Sequence, residues 1–263
     1  RELDPGGGAA AAGAGLVLVG AAASDWGDAL ALCKSVRAAA DVPVAVFGPF
    51  PTMFPTHCVQ AGFDLALVGE PEETALELVA RLAAKSSFRA VPGLAWSDGE
   101  RVLVNTPRPP RRSLEGLPLP AWELVDRSRY GLPAFLAAGR AALPMELTRG
   151  CSHAECLHCA ASGPLKARYR RTLPEEAADR VLAIHERFGV DEVAFVDAEF
   201  VVGRDWILDF CSALRARKNP VTWSCEARPG QLDAVLLDRM AEAGCQLVLL
   251  GMDVLDTPLL RAL

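Results

Sequence analysis

A chain of 263 residues has room for two ordinary domains, each able to bury its own core. It is 51% hydrophobic and 23% charged, as in globular proteins rather than disordered ones. The net charge of −6 argues against nucleic acid or an anionic membrane as a partner, because phosphates are bound by basic surfaces. The uncharged stretch from Gly6 to Ala23 is mostly glycine and alanine, so we predict neither a membrane span nor a signal peptide.

The first third of the chain alternates short apolar runs with helical patterns. We predict strands at Leu16–Val19, Val42–Phe47 and Leu65–Val68, and helices at about 25–39, 55–61 and 72–84. This alternation is typical of a parallel sheet covered on both faces. Ligands of such sheets bind at the loops after the carboxyl ends of the strands. Those loops hold Ser24, Asp25, Gly48, Thr52, Gly69 and Glu70.

Residues 87–142 follow a different pattern. Gly93–Trp96 and Arg101–Val104 flank a Ser-Asp-Gly-Glu turn and predict a hairpin. The proline-rich stretch from Pro107 to Pro120 disfavours helices. We interpret the region as an interdomain linker, with domains at 1–86 and 143–263.

From Leu143 the strand–helix alternation resumes. Four strands are predicted at Pro144–Leu147, Glu192–Val196, Val221–Cys225 and Cys245–Leu250, with helices at about 174–188, 205–216 and 231–243. Four units spaced by roughly 25 residues are typical of part of a (β/α) barrel.

Three of the eight cysteines, Cys151, Cys156 and Cys159, lie within nine residues, directly after the first barrel strand. Barrel enzymes place their chemistry at such carboxyl ends. Three thiolates can hold a [4Fe–4S] cluster and leave one iron without a protein ligand, open to a substrate. The other five cysteines lie singly in apolar patterns, where a free cysteine packs as a small hydrophobe.

Other interpretations of the three cysteines remain open. His153 and His158 could complete a zinc site with the thiols. The cysteines could also be unligated, although packing explains three of them in one glycine-flanked loop poorly. A thioredoxin-like pair has no place for Cys151.

The motifs together resemble the radical SAM enzymes that carry an N-terminal cobalamin-binding domain. The resemblance begins with the Leu-Thr-Arg-Gly-Cys sequence that ends at Cys151, and extends through the segments 195–200, 223–228 and 241–253. Upstream, residues 46–52 and 68–72 resemble cobalamin-domain loops, and 117–122 the usual entry to the barrel. The first two cysteines are separated by four residues, where three are commonest in the family.

The resemblance implies an α/β protein, with a partial Rossmann-like cobalamin-binding domain followed by a partial radical SAM barrel. We expect truncation at both ends, since the chain lacks a starting Met and stops soon after a predicted helix start at Asp256. The implied cofactors are a [4Fe–4S] cluster on Cys151, Cys156 and Cys159, S-adenosylmethionine and cobalamin. The residues implied to line S-adenosylmethionine are Asp197, Glu199, Glu226, Arg228 and Asp253.

Within that set, Asp197 and Glu199 are expected beside the amino group of S-adenosylmethionine, and Arg228 on its carboxylate. Asp253 stands where a glutamate is usual. No Asp-x-His-x-x-Gly motif is present, and His57 is the first domain's only histidine, so we expect no histidine ligand on the lower face of cobalamin.

The implied function is methyl transfer to an unactivated carbon through a 5′-deoxyadenosyl radical. Oxidative cyclisation of a porphyrin precursor is the alternative within the family, and a non-catalytic zinc-stabilised binding module is the alternative outside it. We expect a small-molecule or natural-product substrate and an electron donor such as flavodoxin or ferredoxin. The expected setting is a reducing cytoplasm.

Overall fold

The computed structural model describes residues 11, 13–127, 142–156, 159–160 and 168–251. The chain divides into two compact units, the first ending at Arg111 and the second beginning at Arg112. Among the described residues, no helix combines the length and apolar character needed to cross a bilayer.

The first unit is built on a five-stranded sheet in which the strands lie in chain order. Those strands are β1 (Val17–Gly20), β2 (Val44–Phe47), β3 (Leu65–Leu67), β4 (Leu94–Ser97) and β5 (Val102–Val104). β1, β2 and β3 are parallel, as their short apolar sequences predict, whereas β4 and β5 are antiparallel additions. β2 and β3 are almost wholly buried, which is expected when helices cover both faces.

The position of the hairpin corrects the predicted linker. β4 pairs with β3 in the register Leu65↔Trp96, so the hairpin belongs to the first sheet and not to a connection between domains. The physical reason lies in its apolar residues. Leu94, Ala95 and Trp96 are buried, and by pairing with β3 they cover an edge that would otherwise expose unpaired backbone groups.

In the described part of the first unit, four helices pack on this sheet: α1 (Trp26–Ala39), α2 (Pro49–Met53), α3 (Pro55–Gln60) and α4 (Pro71–Ala83). α1 buries Ala29, Cys33 and Val36, a spacing that places them on one helical face. The short helix α2 was not predicted, because its sequence, which holds two prolines, resembles a loop. Proline is nevertheless favourable in the first turn of a helix, and Pro49 occupies that position.

The second unit contains a four-stranded parallel sheet and a two-stranded ribbon. Its strands are β6 (Leu143–Met145), β7 (Thr148–Arg149), β8 (Arg170–Arg171), β9 (Glu192–Phe195), β10 (Thr222–Ala227) and β11 (Cys245–Leu250). The sheet order is β11-β10-β9-β6, so the four predicted barrel strands are confirmed as neighbours in a parallel sheet. The ribbon pairs β7 with β8 antiparallel and was not predicted from the sequence.

Among the residues described in the second unit, three helices cover this sheet: α5 (Pro174–Phe188), α6 (Arg204–Ala216) and α7 (Ala234–Glu242). The predicted bounds of α5 are confirmed. The helix begins with proline, ends before Gly189 in a left-handed conformation, and buries Val181 and Ile184. The Asp233 side chain caps α7 by accepting from the Leu236 amide at 2.9 Å. Stacked rings, among them Phe195 and Phe200 with centroids 4.5 Å apart, fill the core beneath.

Gly48→Ala is expected to destabilise the first unit. Gly48 has φ 118° and ψ −168°, a conformation that is essentially closed to residues with a Cβ. An added Cβ would lie 2.7 Å from the carbonyl oxygen of Ala21. The backbone conformation alone should reduce the free energy of unfolding by about 1–3 kcal/mol. Urea unfolding followed by circular dichroism measures the loss.

Gly27→Ala is the matched control. Gly27 lies in α1, where an added Cβ meets nothing within 4 Å, so alanine should leave stability unchanged or raise it slightly. Equal losses in the two variants would contradict the role assigned to Gly48.

Candidate functional site

We call residues 147–159 the cysteine segment. It follows the carboxyl end of β6 and includes the ribbon strand β7. Gly150 has φ 84°, a left-handed turn that glycine allows without strain, and Cys151 follows it. Cys151 and Cys156 are half-buried and Cys159 is exposed. The Ala154 amide donates to Cys151 Sγ at 3.4 Å, and the Cys159 amide donates to the carbonyl of Cys156 at 3.2 Å. The described cysteines therefore present partly accessible thiols.

The remaining cysteines contrast with these three. Cys33, Cys58, Cys211 and Cys225 are buried in the cores of the two units, and Cys245 is partly buried against the second core. Burial raises the pKa of Cys58 to about 11 and that of Cys211 to about 12, so these thiols stay protonated. The prediction that they serve as packing residues is confirmed.

Asp197, which follows β9, is a buried carboxylate that fixes the start of the cysteine segment. Its side chain is fully enclosed, with the residue only 1% exposed. Oδ1 accepts hydrogen bonds from the amides of Leu147, at 2.9 Å, and Thr148. Oδ2 is buried without a hydrogen-bond partner in the described part of the chain. Burial raises the pKa of Asp197 to about 7, against the opposing effect of its hydrogen bonds.

Glu199 lies at the centre of a second group of contacts, directly against the cysteine segment. Its Oε2 accepts from the Ser152 amide at 2.7 Å and lies 3.5 Å from Cys151 Sγ. Its Oε1 accepts from Gln231 Nε2 at 2.8 Å and forms an ion pair with Arg228. Although burial acts to raise it, the pKa of Glu199 lies below its usual value, because the Ser152 amide and Arg228 favour the charged form.

The end of β10 supplies the other side of this group. Arg228 Nη2 donates to Ser152 Oγ at 3.3 Å, and the Arg228 amide donates to Gln231 Oε1 at 2.9 Å. Arg228 remains 47% exposed on its side chain, and Glu226, two residues earlier, is also exposed. The structure thus brings Cys151, Glu199 and Arg228 together, as expected for strand ends of one parallel sheet.

Two contributing residues were not predicted from the sequence. Ser152 and Gln231 are polar residues in loops, without a motif of their own. A usable signal was present at Gln231, which follows a Pro-Gly pair three positions after Arg228, where its side chain can close a turn.

In the first unit, the loops at the carboxyl ends of β2 and β3 are joined by Thr52. Its Oγ1 donates to the Gly48 carbonyl at 2.8 Å and accepts from the Gly69 amide at 3.0 Å. Asp25 Oδ1 accepts from the Ala22 amide at 2.6 Å, which orders the loop after β1, where Ser24 is exposed. These predicted loop residues therefore form one structured edge of the sheet.

Glu70 and an aromatic group complete this edge. Glu70 accepts from the Arg111 amide at 3.2 Å. Trp26 and Phe50 stack with ring centroids 4.4 Å apart, and Phe54 is 48% exposed beside Phe50. The ring of His57 lies 5.6 Å from that of Trp26. The edge thus combines backbone turns with exposed aromatic surface.

A cleft of roughly 680 Å³ lies elsewhere on the first unit. It is lined by residues that precede β2 and β3, such as Pro43 and Asp64, and so lies at the amino ends of these strands. Two of its charged residues are engaged with each other, because Arg37 pairs with Asp64 at 2.6 Å and also donates to the Gly62 carbonyl at 2.9 Å. We therefore place the candidate site at the carboxyl ends instead.

Some predicted residues lie outside the described part of the chain. Asp253 and His158 are two of them. Within the described ranges, no three cysteine, histidine or carboxylate side chains converge on the position of a single metal ion. A four-iron cluster binds each thiolate at a different iron, so it does not require such convergence. The assignment of the cysteines as ligands stays a prediction.

Comparisons with known proteins cover both units. Residues 145–263 match the model of the radical SAM superfamily. The chain is 24% identical over 214 residues to the uncharacterised methyltransferase PH0819 of Pyrococcus horikoshii, covering 80% of this chain and 44% of that protein. It is 28% identical over 211 residues to the anaerobic magnesium-protoporphyrin IX monomethyl ester cyclase of Synechocystis, covering 78% and 41%.

Among solved structures, the radical S-adenosylmethionine methyltransferase TsrM of Kitasatospora setae has the same fold. The TM-score is 0.73 at 20% identity, over 94% of this chain and 50% of TsrM. TsrM has also been solved with cobalamin and a [4Fe–4S] cluster bound. This chain thus spans half or less of the length of each of these proteins.

Asp197→Asn is expected to remove a pH dependence of stability. The folded-state pKa of about 7 exceeds the ordinary value of 3.8, so over that interval the folded protein retains a proton that the unfolded chain releases. Wild-type stability should therefore fall as the pH rises through this window and level off above it. Asparagine keeps an acceptor for both amides but does not titrate. Urea unfolding at several pH values between about 5 and 8 provides the measurement.

Asp197→Ala separates the hydrogen bonds from the charge. It leaves the amides of Leu147 and Thr148 without their acceptor and should cost about 2–4 kcal/mol at every pH. A pH profile of Asp197→Asn that parallels the wild type would show that Asp197 does not titrate in this window.

Proposed function

We propose that the chain is a member of the radical SAM superfamily, whose model its residues 145–263 match, and that it binds a [4Fe–4S] cluster, S-adenosylmethionine and cobalamin and takes part in methyl transfer to an unactivated carbon. The observation that carries the proposal is the position of Cys151, Cys156 and Cys159. They follow the first strand of a parallel sheet, in the segment that matches the superfamily, with Glu199 and Arg228 against them.

The cysteine segment fits an iron–sulfur cluster. Thiolates are the ligands that such clusters prefer, and three of them leave one iron open. The Ala154 amide that donates to Cys151 Sγ is a contact of the kind that stabilises a sulfur carrying negative charge. The partial exposure of all three cysteines leaves room for a cofactor.

The end of β10 fits S-adenosylmethionine. Glu226 and Arg228 are exposed there and present opposite charges, which suit the amino and carboxylate groups of the methionine part. Asp197 and Glu199 are enclosed instead, and their oxygens contact the cysteine segment. We therefore assign direct contact with S-adenosylmethionine first to Glu226 and Arg228, and keep Asp253 as a candidate outside the described residues.

When bound, the reduced cluster supplies the electron that cleaves S-adenosylmethionine, and cobalamin supplies the methyl group. The chain's own part is placement. Asp197 holds the turn from which the cysteines emerge, and Arg228 holds a positive charge beside Ser152. The enclosed aromatic core beneath keeps water away from the lower side of the site.

The carboxyl edge of the first unit fits cobalamin. Its loops are fixed by Thr52, and the exposed ring of Phe54 offers an apolar surface to a flat macrocycle. His57 is the only histidine in the sequence of the first unit, and its ring packs against Trp26 and Phe50. We propose that cobalamin binds there without a histidine ligand from the protein.

Two relatives bear on the reaction type. PH0819 is named a methyltransferase, whereas the Synechocystis relative is named a cyclase. Methyl transfer is our first proposal because TsrM, which shares the fold, is a methyltransferase. Oxidative cyclisation is the second candidate, favoured by the 28% identity to the cyclase. The match of residues 145–263 to the radical SAM model disfavours the zinc-stabilised binding module.

The proposed setting follows from the cofactors. A cluster on exposed cysteines survives only where oxygen is scarce, so we propose a reducing cytoplasm. The substrate is proposed to be a small molecule or natural product, and the electron donor a flavodoxin or ferredoxin. No nucleic-acid partner is proposed, because the net charge is −6.

Anaerobic reconstitution with iron and sulfide tests the cluster. We expect about four irons per chain and an electron paramagnetic resonance signal of the reduced protein that shifts on adding S-adenosylmethionine. The triple variant Cys151→Ala, Cys156→Ala, Cys159→Ala should lose both the iron and the paramagnetic signal. Cys58→Ala, which changes a buried packing cysteine, should keep them. Zinc in place of iron, or a signal indifferent to S-adenosylmethionine, would overturn the proposal.

Hydroxocobalamin binding tests the first unit. Visible absorbance that stays with the protein through gel filtration is the expected result, and His57→Ala should retain it. Thr52→Val breaks the tie between the loops after β2 and β3 and should weaken binding about tenfold. Thr56→Val, an exposed threonine in α3, is the control. Failure of the wild type to retain cobalamin would remove this cofactor from the proposal.

A further inference from the structure

Glu199, Arg228, Gln231 and Ser152 form a closed ring of contacts, which we call the Glu199 latch. Glu199 accepts from Ser152 and Gln231, Gln231 accepts from the Arg228 amide, and the Arg228 side chain returns to Ser152 and Glu199. The ring joins residues that follow β9 and β10 to the residue directly after Cys151.

We propose that the Glu199 latch holds the cysteine segment in its cluster-binding form and sets the reduction potential of the cluster. This inference rests on the proposed function and assigns Glu199 as a positioning residue, distinct from its expected contact with S-adenosylmethionine. Two observations carry it: the enclosure of Glu199, whose side chain is 3% exposed, and its occupancy by partners on both oxygens.

The positioning role follows from the Ser152 amide. A hydrogen bond from an amide to an enclosed carboxylate is stronger than one between neutral groups, because the acceptor is charged. This bond fixes the peptide that follows Cys151, and therefore restrains the backbone from which the Cys151 side chain extends. The enclosed carboxylate in turn needs Arg228 and Gln231, since a buried charge without partners is costly.

The electrostatic role follows from the distance of 3.5 Å between Glu199 Oε2 and Cys151 Sγ. Once Cys151 binds iron it has no proton to donate, so the carboxylate becomes a negative charge beside the cluster. A nearby negative charge disfavours the gain of an electron, and a nearby positive charge favours it. Glu199 should lower the potential, and Arg228 should offset part of that effect.

The test compares three variants after anaerobic reconstitution, using redox titration followed by electron paramagnetic resonance. Glu199→Gln should raise the midpoint potential because it removes a negative charge. Arg228→Met should lower it because it removes a positive one. Asp179→Asn breaks an exposed ion pair away from the cysteines, between Asp179 of α5 and Arg217 directly after α6 at 2.6 Å, and should leave the potential unchanged.

The rate at which a chelator removes iron gives the second readout. Glutamine cannot accept from Ser152 and from both Gln231 and Arg228, so Glu199→Gln should lose iron about tenfold faster than the wild type. Arg228→Met should also lose iron faster, while Asp179→Asn should match the wild type. If Glu199→Gln and Arg228→Met shift the potential in opposite directions while both lose iron faster, the effect is due to the latch. A general loss of stability would not give potential shifts of opposite sign.

Three outcomes decide the matter. A wild type without iron overturns the proposed function and the latch with it. A wild type with about four irons, but with potentials unchanged in Glu199→Gln and Arg228→Met, overturns the latch alone. Shifts of the same sign in both variants would also overturn it, because charge would then not be the cause.

Discussion

The site of the second unit depends on a buried carboxylate that joins two strand ends. Asp197 follows β9, and its Oδ1 accepts from two successive amides where the chain passes from β6 into β7. The backbone amides would otherwise be unsatisfied in an enclosed position, which is costly in folded proteins. The enclosure that raises the pKa of Asp197 also makes its hydrogen bonds strong, because the local dielectric is low.

The contacts above Asp197 follow from this arrangement. Thr148, held by Asp197, donates its hydroxyl to the carbonyl of Glu199 at 3.1 Å. Thr172 donates to the Leu147 carbonyl through both its amide, at 2.9 Å, and its hydroxyl, at 3.1 Å. The turn before the cysteines is therefore tied to β9 and to the segment that leads into α5. The paired hydroxyls of Thr148 and Thr172 help to specify one arrangement of this part of the core.

Much of the fold could be predicted from the sequence because its signals are local. Short apolar runs predicted β2, β3 and β9. Pro174 predicted the start of α5, and Gly189 predicted its end. The sequence located the two strands of the hairpin but not their place in the first sheet, because pairing with β3 depends on a distant strand and not on the hairpin's own residues. The ribbon of β7 with β8 was missed for the same reason, since two residues carry no periodicity.

In the candidate site, too, some residues could be predicted from the sequence and others only from the structure. The three cysteines and the acidic residues after the strands stand out by residue type, so the sequence alone indicates them. Packing decides which carboxylates are enclosed and which are exposed. Asp197 and Glu199 are buried, whereas Glu226 is exposed. Ser152 carries no sequence signal, and the turn signal at Gln231 does not show its contact with Glu199, because the importance of both residues lies in a ring of contacts that no single segment contains.

The long sequence separations in these contacts bear on how the protein matures. Asp197 and Leu147 are 50 residues apart, and Arg228 and Ser152 are 76 apart. Contacts of this kind form late in folding, because the intervening chain must first be closed into a loop. In classical zinc fingers, metal binding and folding occur together. Here the order should be reversed, so that the cysteine turn forms only after β9 and β10 have docked, and cluster delivery follows the assembly of the sheet.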